Sequence, residues 1–302
     1  MKYIPNGKAL GCGGDYTSTF ICSASPAGGS MNNLKIRNIC LKHIDVIFDD
    51  LVRKGLIDPE SNFFSTAKQH AFKLCLHFLH PLIELSDVPS ETHFDFFLHN
   101  SSLVTYTFFL DQSLDSLVNS QSTKVRSYQI SAYLLLDYFR WLIKAHKSKL
   151  PLFYEYYKEQ TNYLIIEKKW EYPQIYLSTY SSVKEIYKKE IILLFPLELY
   201  KITPLLKKLF TNYFSFISLA DDLIDITFDI NHHCLTYPIA MYYKLKGALP
   251  HSCEDLTPII PQIVKILQDF LINIKKLEED SLIIKENIFR IKSELSNRGI
   301  EL

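Results

Sequence analysis

The chain has 302 residues, 47% of them hydrophobic, enough to bury one large core without dividing into two domains. Lys plus Arg and Asp plus Glu both number 33, so no basic field points to nucleic acid, and no run of about 18 apolar residues points to a membrane span. Six cysteines without C-x-x-C spacing argue against a zinc site and a disulfide framework, which leaves reduced thiols in a cytoplasmic protein as the expectation.

Residues 1–30 hold six of the nine glycines and no helical period, and Met31 follows Gly28-Gly29-Ser30. This stretch reads as a leader or tag-like segment ahead of a helical domain over 31–302. Beyond residue 33 glycine nearly vanishes and apolar residues recur at spacings of three and four, while strand alternation and hairpin dipeptides are absent. The pattern predicts helices over about 34–54, closed by Gly55, then 66–85, 93–119, 123–148 and 151–170. Further helices are predicted over 173–196, 203–229, 238–245 and 258–298, with prolines mostly at the joints. The fold class is all-α: a single-domain bundle of about ten helices, with any site built in its core from side chains on facing helices. Twenty Phe and 19 Tyr can line a central apolar cavity, although ordinary core packing uses them equally well.

One acidic stretch stands out in the 203–229 helix. In Asp221-Asp222-Leu223-Ile224-Asp225-Ile226-Thr227-Phe228-Asp229, four carboxylates fall within nine residues, yet the flanks are apolar. On a helix Asp221, Asp225 and Asp229 share one stripe at successive i,i+4 steps. Like charges so placed destabilise a helix, and a carboxylate taken from water without a partner costs several kcal/mol or becomes protonated. A solvated acidic face is one reading. The apolar flanks favour the other, a hard cation such as Mg²⁺ bound by these oxygens together with substrate phosphates.

A second pair, Asp111 and Asp115, stands at i,i+4 directly after an aromatic segment in the 93–119 helix, with Val104, Thr107 and Phe108 below Asp111 on that face. If the two acidic ends face each other, they make a rim above an apolar hollow suited to an anionic head and a hydrocarbon tail. Thr107, Phe108, Phe214 and Ile217 lie on the aspartate-bearing faces and are the candidates for the wall, with plain core packing as the alternative.

Here the chain resembles the isoprenoid synthase superfamily, which includes prenyl diphosphate synthases, class I terpene synthases and squalene-synthase-like enzymes. Asp221-Asp222-Leu223-Ile224-Asp225 reproduces its D-D-x-x-D motif, and Thr236-Tyr237-Pro238 looks like the tail that follows the second motif in trans-prenyl diphosphate synthases. Asp111-Gln112-Ser113-Leu114-Asp115 takes the place of the first motif, with Gln112 where the second aspartate would be. Two departures bear on activity. Ser120-Gln121 stands where chain-elongating members carry an arginine pair, and Cys234 replaces the lysine before T-T-Y-P.

The resemblance implies an isoprenoid synthase-like fold over about 34–298 and a cluster of three Mg²⁺ ions held with the substrate diphosphate. Asp111 and Asp115 would bind one part of it, and Asp221 and Asp225, with Asp222, another. Lys184, Lys188 and Lys189 precede the second motif where the superfamily places a diphosphate-gripping cation; Lys184 and Lys188 are the candidates, with solvated surface lysines as the alternative. Gln160 and Tyr163 are candidate polar contacts within the pocket. The implied activity is that of a terpene synthase, a carbon–oxygen lyase that ionises a linear prenyl diphosphate and cyclises or quenches the carbocation. A prenyltransferase of the same fold and a non-catalytic helical partner of a synthase are the alternatives. Dimers are common in the superfamily, which adds a homodimer to the expectations.

Overall fold

The computed structural model describes residues 31–85, 93–114, 121–180, 182–199, 203–277 and 281–302. The helices are α1 (Met31–Arg53), α2 (Asn62–Leu74), α3 (His80–Leu85), α4 (His93–Leu114), α5 (Gln121–His146), α6 (Leu150–Glu167) and α7 (Pro173–Thr179). They continue with α8 (Pro196–Leu199), α9 (Pro204–Ile224), α10 (Ile226–Asn231), α11 (Tyr237–Lys246), α12 (Ile260–Leu277) and α13 (Leu282–Asn297). A π turn over Cys75–Leu79 joins α2 to α3, a 3₁₀ stretch over Val183–Leu194 precedes α8, and no strand occurs among the described residues. The expected all-α, single-domain bundle is thus observed, built on one continuous core cluster. The stretch 1–30 lies outside the described residues.

Local chemistry sets the ends of these helices. Gly55, at φ 66°, closes α1: its N–H donates to Val52 O and that of Leu56 to Leu51 O, the paired bonds of a Schellman turn. Ser61, Thr203 and Ser281 cap α2, α9 and α13 through side-chain oxygens that accept from Phe64, Leu206 and Ile284 N–H groups.

Several helices predicted as continuous are divided, each for a visible reason. In 66–85 the break is the π turn, which comes just before Pro81. Pro81 has no N–H to offer the carbonyl of His77 four residues back, and the Tyr213 hydroxyl of α9 donates to that carbonyl instead, at 3.1 Å. In 173–196 the Ser182 hydroxyl caps a new start by accepting from Lys184 N–H, and the following stretch winds as 3₁₀ with non-helical angles at Glu190 (φ −114°, ψ 17°). In 203–229 the interruption falls at Asp225 (φ −95°, ψ 10°), within the run of like charges, although the Asp225 and Asp229 N–H groups still bond four residues back. The 258–298 prediction resolves into α12 and α13.

α9 is the hub. It packs on α12 and the 3₁₀ stretch most extensively, and also on α13 and α11. Phe210, Tyr213, Phe214, Phe216, Leu219 and Leu223 are all buried, and burying side chains of this size stabilises by about 1.5–3 kcal/mol each. α4 packs chiefly on α5 and α1. Packing links α4 to α9 by two routes. One runs through α6 and the 3₁₀ stretch. The other runs through the π turn, whose Phe78 meets Phe214 edge to face at 4.9 Å.

Tyr213 closes a buried polar chain, accepting from Asn287 Nδ2 at 2.8 Å while donating to His77 O. Tyr213→Phe removes both of these hydrogen bonds from a buried site. It is expected to destabilise the fold by about 1–3 kcal/mol, read as a lower denaturant midpoint with an unchanged slope.

Candidate functional site

The C-terminal end of α9 delivers Asp221, Asp222 and Asp225 to one place. Asp222 is buried at 2% exposure. Its Oδ1 accepts from Lys189 Nζ at 3.1 Å and its Oδ2 from the Tyr237 N–H at 3.3 Å. Tyr237 is the first residue of α11, so this carboxylate also sits where unpaired N–H groups and the helix dipole favour an anion. The Thr236-Tyr237-Pro238 tail thus has a structural role, which is to present the start of α11 to Asp222.

Lys189 comes from the 3₁₀ stretch and also reaches Glu167, the last residue of α6, at 3.6 Å. Glu167 is 4% exposed, and its Oε1 accepts no hydrogen bond. Burial would lower the Lys189 pKa, but Asp222 first, then Glu167, Asp221 and Asp229, raise it well above the ordinary lysine value. Gln160 Nε2 donates to the Lys189 carbonyl at 3.2 Å, and its own Oε1 is buried without a partner. Behind these groups the Tyr163 and Tyr176 hydroxyls share a 2.6 Å hydrogen bond.

This single ammonium does not neutralise its surroundings. Burial first, then Asp225, raises Asp221 despite the opposing pull of Lys189. Burial pushes Glu167 up to about 7 and Glu190 up to about 8, and it raises Asp229 well above the carboxylate range, with Asp222 adding to it. Asp225 is a solvent-exposed residue, and its carboxyl is raised as well, by partial desolvation against the opposing charges of Arg298 and Lys189.

Asp111 enters from α4. Its carboxylate is 45% exposed and pairs with Lys168 Nζ at 3.5 Å. Its charge contributes to the upward shifts of Asp221, Glu167 and Glu190. Two acidic segments 110 residues apart in sequence thus share one electrostatic field. Asp115 lies outside the described residues.

Among the candidate lysines, Lys184 is exposed. Lys188 pairs with Glu159 and Glu185, each at 3.1 Å, over the Tyr180 ring. Lys189 is the one that reaches the acidic centre. Of the candidate wall residues, Thr107 donates to Val104 O within α4 and Phe108 stacks on His70 at 5.5 Å. Phe214 is fully buried against Phe78, and Ile217 packs against the core partly exposed. The Asp111 motif and these four side chains stand apart from the cleft that the structure opens beside Trp170 and His233.

Glu167 and Glu190 were not anticipated. A signal for Glu167 existed: Phe153, Tyr156, Gln160, Tyr163 and Glu167 follow one another at spacings of three and four, which places the glutamate on the buried face of α6. Glu190 offered none, since it lies in a non-helical turn.

The donors are all carboxylate oxygens, the chemistry Mg²⁺ prefers, and the raised Asp221–Asp225 pair is what a divalent cation would relieve. No group of three or more His, Cys, Asp or Glu is arranged to hold a metal ion among the described residues. Further ligands would come from a substrate's own oxygens and water. No protein-family model, curated protein or solved structure matches the chain.

A carboxyl kept protonated by folding ionises near its ordinary value once unfolded, so the folded state binds more protons up to its raised pKa and stability falls as pH rises to it. The buried His43 and His80, lowered to about 4 by burial, act in the opposite sense, but only below about pH 6.5. Between pH 6.5 and 8 the melting temperature is therefore expected to fall. Glu190→Gln should flatten that slope, and Mg²⁺ should raise the melting temperature more at pH 8 than at pH 6.5.

Proposed function

We propose that the protein is a Mg²⁺-dependent enzyme of class I terpene synthase type, which ionises a linear prenyl diphosphate and cyclises or quenches the resulting carbocation. The observation that supports this most is that the charge of Asp111 on α4 adds to the upward shift of Asp221 at the end of α9, where Asp221 and Asp225 already repel one another. Mg²⁺ would supply electrostatic stabilisation of the departing diphosphate.

The chain's own residues then divide the remaining work. Asp111, Asp221 and Asp225 are the oxygen ligands, with Asp115 of the same sequence motif as a further one. Asp222 is already engaged by Lys189 and the Tyr237 N–H, so its part is to fix the position of Lys189 and the start of α11. Lys189, held protonated, is the cation best placed to meet diphosphate oxygens. Phe108 and Phe214 lie one or two turns before the aspartates on the same helix faces, and an aromatic ring can stabilise a cation by about 0.5–2 kcal/mol.

Incubation with geranyl, farnesyl and geranylgeranyl diphosphates, with Mg²⁺ and with or without isopentenyl diphosphate, tests the reading. Release of diphosphate with a hydrocarbon or alcohol product, without isopentenyl diphosphate, is the expected result. A longer diphosphate would instead mark a prenyltransferase, and absence of metal-dependent turnover a non-catalytic partner. Asp221→Ala and Lys189→Met are each expected to lower turnover by about 10²-fold or more, with helical circular dichroism unchanged for Asp221→Ala. Full activity in Asp221→Ala would remove that residue from the metal site.

A further inference from the structure

We infer that the cleft beside α10 is a binding site for a flat heteroaromatic ring. It has a volume of about 460 Å³ and is lined by Trp170, Ile230, Asn231, His233, Leu249 and His251, among others. That volume falls in the range of small-molecule sites, and the wall combines apolar side chains with a few polar ones, as such sites do.

Two independent features point to the kind of occupant. The first is an aromatic surface already in place: the His233 ring stacks on Trp170 at 5.3 Å and 22°, with His233 exposed and Trp170 partly so. A flat ring that enters the cleft extends this stack, while the Asn231 amide and the His251 imidazole offer hydrogen bonds to ring heteroatoms. The second is backbone strain at the same residue. His233, at φ 57°, is the non-glycine residue with positive φ among the described residues. Glycine would hold that conformation without strain, and residues kept in such conformations cluster at ligand clamps.

The cleft adjoins the acidic centre without sharing its ligands. Ile230 lines the cleft while Asp229 before it belongs to the carboxyl cluster, and the chain then turns back so that Leu235 N–H donates to Glu167 O at 2.7 Å. Trp170 follows Lys168, the partner of Asp111. Ring binding needs neither Mg²⁺ nor a prenyl diphosphate, so it stands or falls separately from the reaction proposed above.

The chain has two tryptophans, so Trp141→Phe leaves Trp170 as the sole indole reporter. Titrating this full-length variant with nicotinamide and with adenosine, metal-free, is expected to give saturable quenching by at least one of them, with cyclohexanol inert. Adding His233→Gly keeps the turn and is expected to weaken that binding at least tenfold while the melting temperature stays level or rises. Saturation-transfer NMR on the unsubstituted chain, read at the nicotinamide and adenosine ring protons, provides the same test should Trp141→Phe fold poorly. Linear, non-saturating quenching that cyclohexanol matches, binding unchanged in His233→Gly, or no transfer to either ring would overturn the assignment.

Discussion

A single lysine ammonium held among more carboxyls than it can neutralise is the constraint on which this structure turns. Lys189 ties the 3₁₀ stretch to α9 through Asp222 and to α6 through Glu167. Attraction between unit charges at such distances is about 4 kcal/mol at an effective dielectric of 20, and the cost of taking both ions out of water is of similar size. The pair therefore adds little net stability. Its consequence is positional: removing one partner would leave the other buried and unpaired, at a cost of about 3–5 kcal/mol, so three segments are locked in register at this point.

Irregular backbone gathers around the same place. Glu190 leaves helical angles one residue after Lys189, α9 is interrupted at Asp225, and His233 adopts positive φ just beyond α10. Each departs from what its local sequence would do alone. The 203–229 segment has the apolar period of one long helix, and the interruption comes where successive carboxyls crowd on one face. Local preference yields to the electrostatics of the centre, as it does at sites that carry function.

Much of the architecture was legible because helical period and cap residues are local signals. Gly55 and Thr203 mark real ends, whereas Ser281, which caps α13, was passed over by the continuous 258–298 prediction. The divided helices were not legible, because what permits each division lies far away in sequence. The carbonyl that Pro81 cannot serve is satisfied by Tyr213, 136 residues from His77. The aspartates of α9 were found because charge amid apolar flanks is costly unless paired. Which of Lys184, Lys188 and Lys189 faces the acids was not legible, because the stretch winds as 3₁₀, about 120° per residue against about 100° for an α-helix, and leaves helical angles at Glu190. Lys189 is thereby brought to Asp222 and Lys188 left with Glu159 and Glu185.

Burial acts on both kinds of titratable group here, and it acts by removing charge. His43 and His80 are pushed to neutrality on α1 and α3, while Glu167, Glu190 and Asp229 are pushed towards the neutral acid at the other site. Lys189 keeps its charge because Asp222, which also accepts from the Tyr237 N–H, offsets the cost of its burial. Without a metal, then, the centre reduces its excess negative charge by holding protons. A divalent cation would do the same by coordination, and the protons would have to leave as it entered. Under the proposed reading, metal affinity and proton release are thus one linked equilibrium, with Asp221 both raised in the metal-free fold and among the carboxyls that would hold the ion.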